Sequence, residues 1–133
     1  MAYFDWETKY DVGVPPMNEQ HQRLIALMNR LHDRCDAGAE RTEVAQVVDE
    51  LACYTVEHFA AEERYMASVN YPRLETHKLI HQELLAVLAK HRQVFGRTGT
   101  LGVEFFSFLK FWLASHIQGI DKQYGAHARV RAA

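Results

Sequence analysis

The chain has 133 residues, of which 48% are hydrophobic, 24% charged and 11% aromatic. This composition is typical of one globular domain and excludes a disordered or collagen-like chain. Fifteen Lys and Arg against 17 Asp and Glu give a net charge of -2. The basic residues form no stripe that could bind a row of phosphates, so we expect no nucleic-acid partner.

The chain lacks the usual signals of membrane and secreted proteins. Its apolar run over 105–113 is interrupted by Ser107 and Lys110 and falls short of the ~20 residues that a membrane helix needs. The N-terminus carries acidic and aromatic residues where a secretory signal has basic and apolar ones. Cys35 and Cys53 form no CxxC motif, which predicts buried, reduced thiols. We therefore expect a cytoplasmic protein with no membrane insertion.

The first 17 residues show no helical period and contain Gly13, Pro15 and Pro16, which predicts an ordered arm packed on the domain. Helical periodicity follows, and Gly38 is expected to end the first helix. A second helix is predicted to start near Thr42 as its N-cap. The face of the first helix holds His21, Leu24, Met28, Leu31 and Cys35, and that of the second Val44, Val48, Leu51, Thr55, His58, Glu62 and Met66.

Two further helices show the same spacing. The third has Leu74, His77, His81, Leu84, Leu88, His91 and Phe95 on one face, and the fourth has Phe105, Leu109, Trp112, Leu113 and His116. Gly96 to Gly102 are expected to separate them. The sequence therefore predicts an all-α fold, an antiparallel up-down four-helix bundle over about 18–125, with the arm over 1–17 completing a single domain over 1–133.

Polar side chains lie on these apolar faces, and burying them without partners would cost several kcal/mol. The histidines and carboxylate concerned are His21, His58, Glu62, His77, His81 and His116. Asp121 follows His116 by five residues, so it reaches the interior only from a distorted or ending helix, which Gly119 makes plausible. A metal site would satisfy all of these groups together.

Five imidazoles and two carboxylates are too many donors for one metal ion, and they suit two ions joined by an oxide or hydroxide. Nitrogen and oxygen donors without thiolate suit iron or manganese, and donor type alone leaves zinc and copper open. We take the cofactor to be two iron ions, Fe2+ or Fe3+. The donor count leaves one coordination position for a small molecule.

The ordered set of these residues resembles the hemerythrin family, specifically its single-domain bacterial members. The resemblance runs from about Phe4 to Tyr124 and includes the segments Asn18-Glu19-Gln20-His21, His58-Phe59-Ala60-Ala61-Glu62-Glu63 and Tyr71-Pro72. It implies a four-helix bundle, the class of which myohemerythrin is a known example. It also implies that one iron is held by His77, His81 and His116 and the other by His21 and His58, with Glu62 and Asp121 as bridges.

The resemblance further implies an oxygen pocket walled by Leu24, Phe59, Leu113 and Ile117.

Two polar residues near the ligands are expected to lie outside the site. Glu63 is phased about 100° from Glu62 and is expected to be solvated or paired at the surface. His91 lies about 15 Å beyond His81 along the helix, which is too far to share the site.

The function implied is reversible dioxygen binding for carriage, storage or delivery, by a monomer that is not an enzyme. An oxygen-consuming enzyme is a candidate recipient. A di-iron oxidase or ferroxidase is one alternative, although such bundles use Glu-x-x-His pairs that these ligands lack. A sensor of oxygen or iron that acts through a partner is the other.

Overall fold

The computed structural model describes residues 2–132, so Met1 and Ala133, the ends of the predicted domain, lie outside the described residues. A short 3-10 turn spans Thr8–Tyr10. The helices that follow are α1 (Pro15–Asp36), α2 (Arg41–Ser68), α3 (Leu74–Thr98), α4 (Val103–His116) and α5 (Lys122–Ala132), with a π-helical segment, Ile117–Asp121, between α4 and α5. No strand occurs in residues 2–132, and the predicted all-α fold is confirmed.

Helix α1 begins at Pro15, inside the segment that the sequence assigned to the arm. The first turn of a helix has amide groups without acceptors, so Pro15 and Pro16 lose no hydrogen bond there. Their presence therefore marks the start of α1, and the predicted boundary at residue 18 is wrong by about one turn. The other end is as predicted, because Gly38 has a φ of 69° just beyond the last turn.

Helices α2 and α3 differ from the prediction at one end each. Helix α2 begins at Arg41 after Glu40, and no side chain caps it, so the expected N-cap at Thr42 is wrong. Helix α3 continues through Gly96 and ends at Thr98, just before Gly99, whose φ of 74° is left-handed. One exposed helical glycine costs only about 1 kcal/mol, which the packing of Phe95 and the rest of α3 offsets.

The π-helical segment confirms the predicted distortion after His116. A π turn bonds residue i to residue i+5, so it brings residues five apart back to one helix face. Asp121 therefore points inward with His116. The chain then continues as α5, a helix that extends beyond the predicted end of the bundle near residue 125.

The arm is ordered, as predicted, and it packs on the bundle through Phe4, Tyr10, Val12 and Val14, which are all buried. Asn29 of α1 binds the arm twice: its Oδ1 accepts from the Phe4 amide at 2.9 Å, and its Nδ2 donates to the Phe4 carbonyl at 2.8 Å. These bonds hold the arm across α1.

Helix α1 packs on α2, α2 packs on α3, and α4 packs on α1, so that four apolar faces enclose one core. Cys35 is only partly buried and Cys53 is exposed, so the expectation of two buried thiols is wrong, although both are free as predicted. Within the described residues, no helix combines the length and apolarity needed to span a membrane.

Candidate metal centre

The seven predicted ligands meet in the core of the bundle. Each has a relative exposure of 7% or less. His21 comes from α1, His58 and Glu62 from α2, His77 and His81 from α3, His116 from α4, and Asp121 from the π-helical segment. The four-residue spacings within α2 and α3 place each pair on one face, as the sequence predicted.

The donor atoms fall into two groups, and within each group one donor atom per residue lies within 4.8 Å of all the others. The three-histidine group contains His77, His81, His116, Glu62 and Asp121, and the two-histidine group contains His21, His58, Glu62 and Asp121. The two carboxylates are common to both groups. This sharing is the arrangement that carboxylate bridges between two ions require.

Asp121 divides its oxygens between the two groups. Its Oδ1 lies 3.0 Å from the Nε2 atoms of both His77 and His116. Its Oδ2 lies 3.1 Å from the Nε2 atom of His21. A regular helix would direct this carboxylate elsewhere, so the π turn is what places it between the groups.

Glu62 also faces both groups. Its Oε1 lies 3.2 Å from His81 Nε2 and 3.3 Å from His58 Nε2. Its Oε2 lies 3.3 Å from His21 Nε2 and accepts a hydrogen bond of 2.6 Å from the Tyr124 hydroxyl. Tyr124 thereby fixes the orientation of the carboxylate.

The donor set fits a pair of metal ions. Glu62 Oε1, His81 Nε2 and both Asp121 oxygens are buried without a hydrogen-bond partner, although nitrogen and oxygen atoms lie close to them. Such unpaired groups cost about 1–3 kcal/mol each. Donor atoms of these residues lie 3.0 to 3.3 Å apart, and a metal ion within each group would satisfy them together.

The metal-free site has strongly shifted ionisation. Burial lowers the pKa of His58 to about 4, which keeps this imidazole neutral. Burial also acts to lower the pKa of His21, but the close carboxylates of Asp121 and Glu62, 3.1 and 3.3 Å from its Nε2 atom, outweigh it and raise the pKa to about 9. Burial and the nearby Asp121 charge act to raise the pKa of Glu62, and the surrounding histidines outweigh both and lower it to about 2. Glu62 is therefore a carboxylate at neutral pH.

Burial is the main reason that the pKa of Tyr124 lies far above its usual range, and the negative charge of Glu62 is the next largest. The phenol therefore stays protonated and remains a donor to Glu62.

A model of the hemerythrin HHE cation binding domain matches residues 12–128 of this sequence. The chain belongs to the hemerythrin family. It is 33% identical over 130 residues to the bacteriohemerythrin of Stenotrophomonas maltophilia, and this match covers 98% of the chain and 84% of that relative. It is 31% identical over 127 residues to the bacteriohemerythrin of Methylococcus capsulatus, covering 94% of the chain and 96% of that relative.

A crystal structure of wild-type hemerythrin superposes on the hemerythrin-family chain with a TM-score of 0.87 at 29% sequence identity. The match covers 96% of this chain and 98% of the other. The comparisons confirm the predicted resemblance, and the structural match confirms the predicted bundle.

The four residues predicted to wall an oxygen pocket are all buried, with exposures of 1 to 3%. The Phe59 ring stacks on the His81 ring, with centroids 3.8 Å apart and an interplanar angle of 4°. The others adjoin histidines of the site along their helices: Leu24 follows His21 by three residues, and Leu113 and Ile117 flank His116. Their role as pocket walls remains a prediction.

Three residues that contact the site were not predicted from the sequence: Gln20, Glu63 and Tyr124. Gln20 Oε1 lies 2.6 Å from His58 Nδ1, and Glu63 Oε2 lies 2.8 Å from His81 Nδ1. Glu63 was expected at the surface, and it is partly exposed, but its partner is a buried histidine. Tyr124 follows Asp121 by three residues, so helical spacing could have indicated that it faces the site.

The shifted pKa of His21 predicts how the stability of the metal-free protein depends on pH. A raised folded-state pKa contributes stability that is full below the ordinary value of 6.5 and is lost as pH rises to about 9. His58 acts in the other direction, but below that window, between its pKa of about 4 and 6.5. We expect the metal-free protein to lose stability as the pH rises from 6.5 to 9.

Thermal melts of metal-free and iron-loaded protein at both pH values measure this loss. The iron-loaded protein is the control, because a metal requires neutral imidazoles and its affinity does not fall over this range. A melting temperature of the metal-free protein that stays constant or rises from pH 6.5 to 9 would contradict the prediction.

Proposed function

We propose that this protein binds dioxygen reversibly at a non-haem di-iron centre, for oxygen carriage, storage or delivery, and is not an enzyme. The observation that carries the proposal is the pair of buried donor groups that share Glu62 and Asp121. In the proposed site His77, His81 and His116 bind one iron, and His21 and His58 bind the other. Glu62 and Asp121 would contact both ions, and an oxide or hydroxide would complete the centre.

The unequal histidine count gives the site its place for a ligand. His77, His81 and His116 would give one ion three imidazoles, whereas His21 and His58 would give the other only two, so the two-histidine ion is the one that would have room for a ligand. When bound, the iron pair supplies the two electrons that dioxygen takes up on binding and returns on release. The chain contributes a fixed cage, because its carboxylates are held by Tyr124 on one side and by the π turn on the other.

Two features favour binding over oxidation of a substrate. The five imidazoles make the site rich in histidine, whereas oxidase bundles rely on carboxylates and Glu-x-x-His pairs. The residues next to the site along the helices, Leu24, Leu113 and Ile117, are apolar and buried. Apolar walls keep out water and protons that would help reduced oxygen leave and strand the irons as ferric.

An absorption spectrum tests the proposal. Anaerobically reduced protein that contains iron is expected to be nearly colourless in the visible range, to gain a charge-transfer band with oxygen, and to lose it again under inert gas. A spectrum that oxygen leaves unchanged would contradict oxygen binding. A band that inert gas does not reverse would favour the oxidase or ferroxidase alternative.

Truncation of Leu113 is expected to separate oxygen retention from iron binding. Leu113 is 2% exposed and contributes no metal-binding atom. Leu113→Ala should keep its iron but admit water, so that the oxygenated protein decays to the ferric state at least about tenfold faster. Azide should then bind to the ferric protein, because a small anion can occupy the free position.

Leu109→Ala is the matched control, since Leu109 is equally buried on α4 one turn before Leu113. Decay of the oxygenated form is followed by absorbance for both variants and the parent. Equal lifetimes in Leu113→Ala and Leu109→Ala would show that Leu113 does not shield the site.

A further inference from the structure

The two donor groups differ in what lies behind their histidines. The Nε2 atoms of His81 and His58 face the site, which leaves the Nδ1 atoms on the outer edges of the rings. His81 Nδ1 lies 2.8 Å from a carboxylate oxygen, Glu63 Oε2. His58 Nδ1 lies 2.6 Å from an amide oxygen, Gln20 Oε1. One group therefore has a charged acceptor behind it and the other a neutral one.

A histidine that binds metal through Nε2 carries its proton on Nδ1 and donates it to the outer acceptor. A hydrogen bond to a carboxylate is about twice as strong as one to a neutral amide. The carboxylate draws the proton away from the ring and makes the imidazole a more basic ligand. A more basic ligand stabilises the higher charge of the metal ion that it binds.

The surroundings strengthen the effect on the His81 side. The His81 side chain is 1% exposed and that of Glu63 is 28% exposed, so the bond lies partly out of water. The Phe59 ring stacked on His81 fixes the direction of the Nδ1 atom. Behind two further rings, the Nδ1 atoms of His21 and His77 have no hydrogen-bond partner among the described residues. Neither atom has a contact that would offset the difference.

We propose that Glu63 and Gln20 are positioning residues that make the two irons unequal, with Glu63 directing the first ferric charge to the three-histidine ion through His81. The inference rests on the proposed di-iron centre and deepens it. In the half-oxidised protein one electron has left the iron pair. The three-histidine ion is then ferric, and the two-histidine ion, where the free position lies, is still ferrous.

Exchange of the two acceptors tests this inference. The midpoint potentials of both one-electron steps are measured by spectroelectrochemistry in the parent, in Glu63→Gln, in Gln20→Glu and in the double exchange. The electrode, through mediators, takes up the electron that each ion loses. Glu83→Gln is the control, because it removes the same charge from an exposed position on the helix of His81. Iron analysis and thermal melts confirm that each protein is loaded and folded.

We expect Glu63→Gln to raise the midpoint potential of the first oxidation step by about 59 mV. At a fixed potential, this shift changes the ferric-to-ferrous ratio about tenfold in favour of the ferrous form. Gln20→Glu should shift the other step in the opposite direction, and Glu83→Gln should match the parent. In the double exchange the ferric ion of the half-oxidised protein should move to the two-histidine position. Mössbauer spectra resolve this move because the two ions differ in coordination.

The outcomes separate this inference from the proposed function. A parent that holds two irons and binds oxygen, with exchanged variants at the parental potentials or shifted in the same direction, would overturn the inference alone. So would a half-oxidised parent whose ferric ion occupies the two-histidine position. A parent that cannot hold two irons would overturn both. Should Glu63→Gln fail to fold, the sign of the shift in Gln20→Glu decides the question.

Discussion

Replacing His77 with alanine is expected to cost the metal centre at least one of its two ions. The Nε2 atom of His77 lies 3.0 Å from Asp121 Oδ1 and 3.3 Å from His116 Nε2, so its loss removes one of three imidazoles from the three-histidine group. Iron content should fall from about two ions per chain to one or fewer. Because a tightly bound metal stabilises only the folded state, the as-purified variant should also lose several kcal/mol of stability.

His91→Ala provides the matched control on the same helix. His91 is partly exposed and contacts the Phe105 and Phe108 rings, with centroids 5.3 and 5.1 Å away. When it is made in iron-sufficient medium, the His91→Ala variant should show its full iron content by metal analysis. Unchanged iron in His77→Ala would remove this residue from the proposed ligand set.

Replacing Gly125 with alanine is expected to disrupt the contact between α5 and the arm. A Cβ atom at this position would lie 1.8 Å from the Val12 carbonyl oxygen and 3.0 Å from the carbonyl carbon. Both are backbone atoms, so either the arm or α5 must move. The expected loss is about 3 kcal/mol, near the upper end of the usual range for overpacking, or about 10 °C in melting temperature.

The same substitution should also weaken the metal centre. Gly125 follows Tyr124 directly and Asp121 by one helical turn, so a displaced α5 moves both away from Glu62. Gly96→Ala is the control, because nothing lies within 4 Å of that Cβ and alanine favours a helix. If Gly125→Ala melts at the same temperature as the parent, the arm can move aside with no loss of stability, which would contradict the prediction.

The helix faces and ligands could be predicted because they follow a single period. Every residue assigned to the face of α2, from Val44 to Met66, is buried, and the seven polar residues assigned to the interior meet there. Even the distortion at Asp121 could be inferred, since a five-residue spacing cannot bring two side chains to one face of a regular helix.

Helix boundaries were predicted less well, because local signals allow more than one reading. Pro15 and Pro16 break a helix in its interior but begin one at its first turn, and only the packing of α1 distinguishes these cases. The contact between Gly125 and Val12 joins residues far apart in sequence, and no periodic pattern reports such an approach.

The residues behind the histidines were missed for a similar reason. Gln20 and Glu63 lie beside ligands in sequence but off the buried faces, and each reaches its histidine across a helix interface. Helical spacing alone predicts that Gln20 and Glu63 lie at the surface. Their contacts depend on the rotation of neighbouring helices, which the sequence does not specify.

Oxygen uptake and release test most directly whether the seven buried side chains hold an iron pair that binds oxygen reversibly. Anaerobic, fully reduced protein of known iron content is titrated with dioxygen, and the gas released under vacuum is then measured. We expect uptake of about one dioxygen per two irons and release of nearly all of it. Uptake without release, or continued consumption of oxygen beyond that ratio, would contradict reversible oxygen binding.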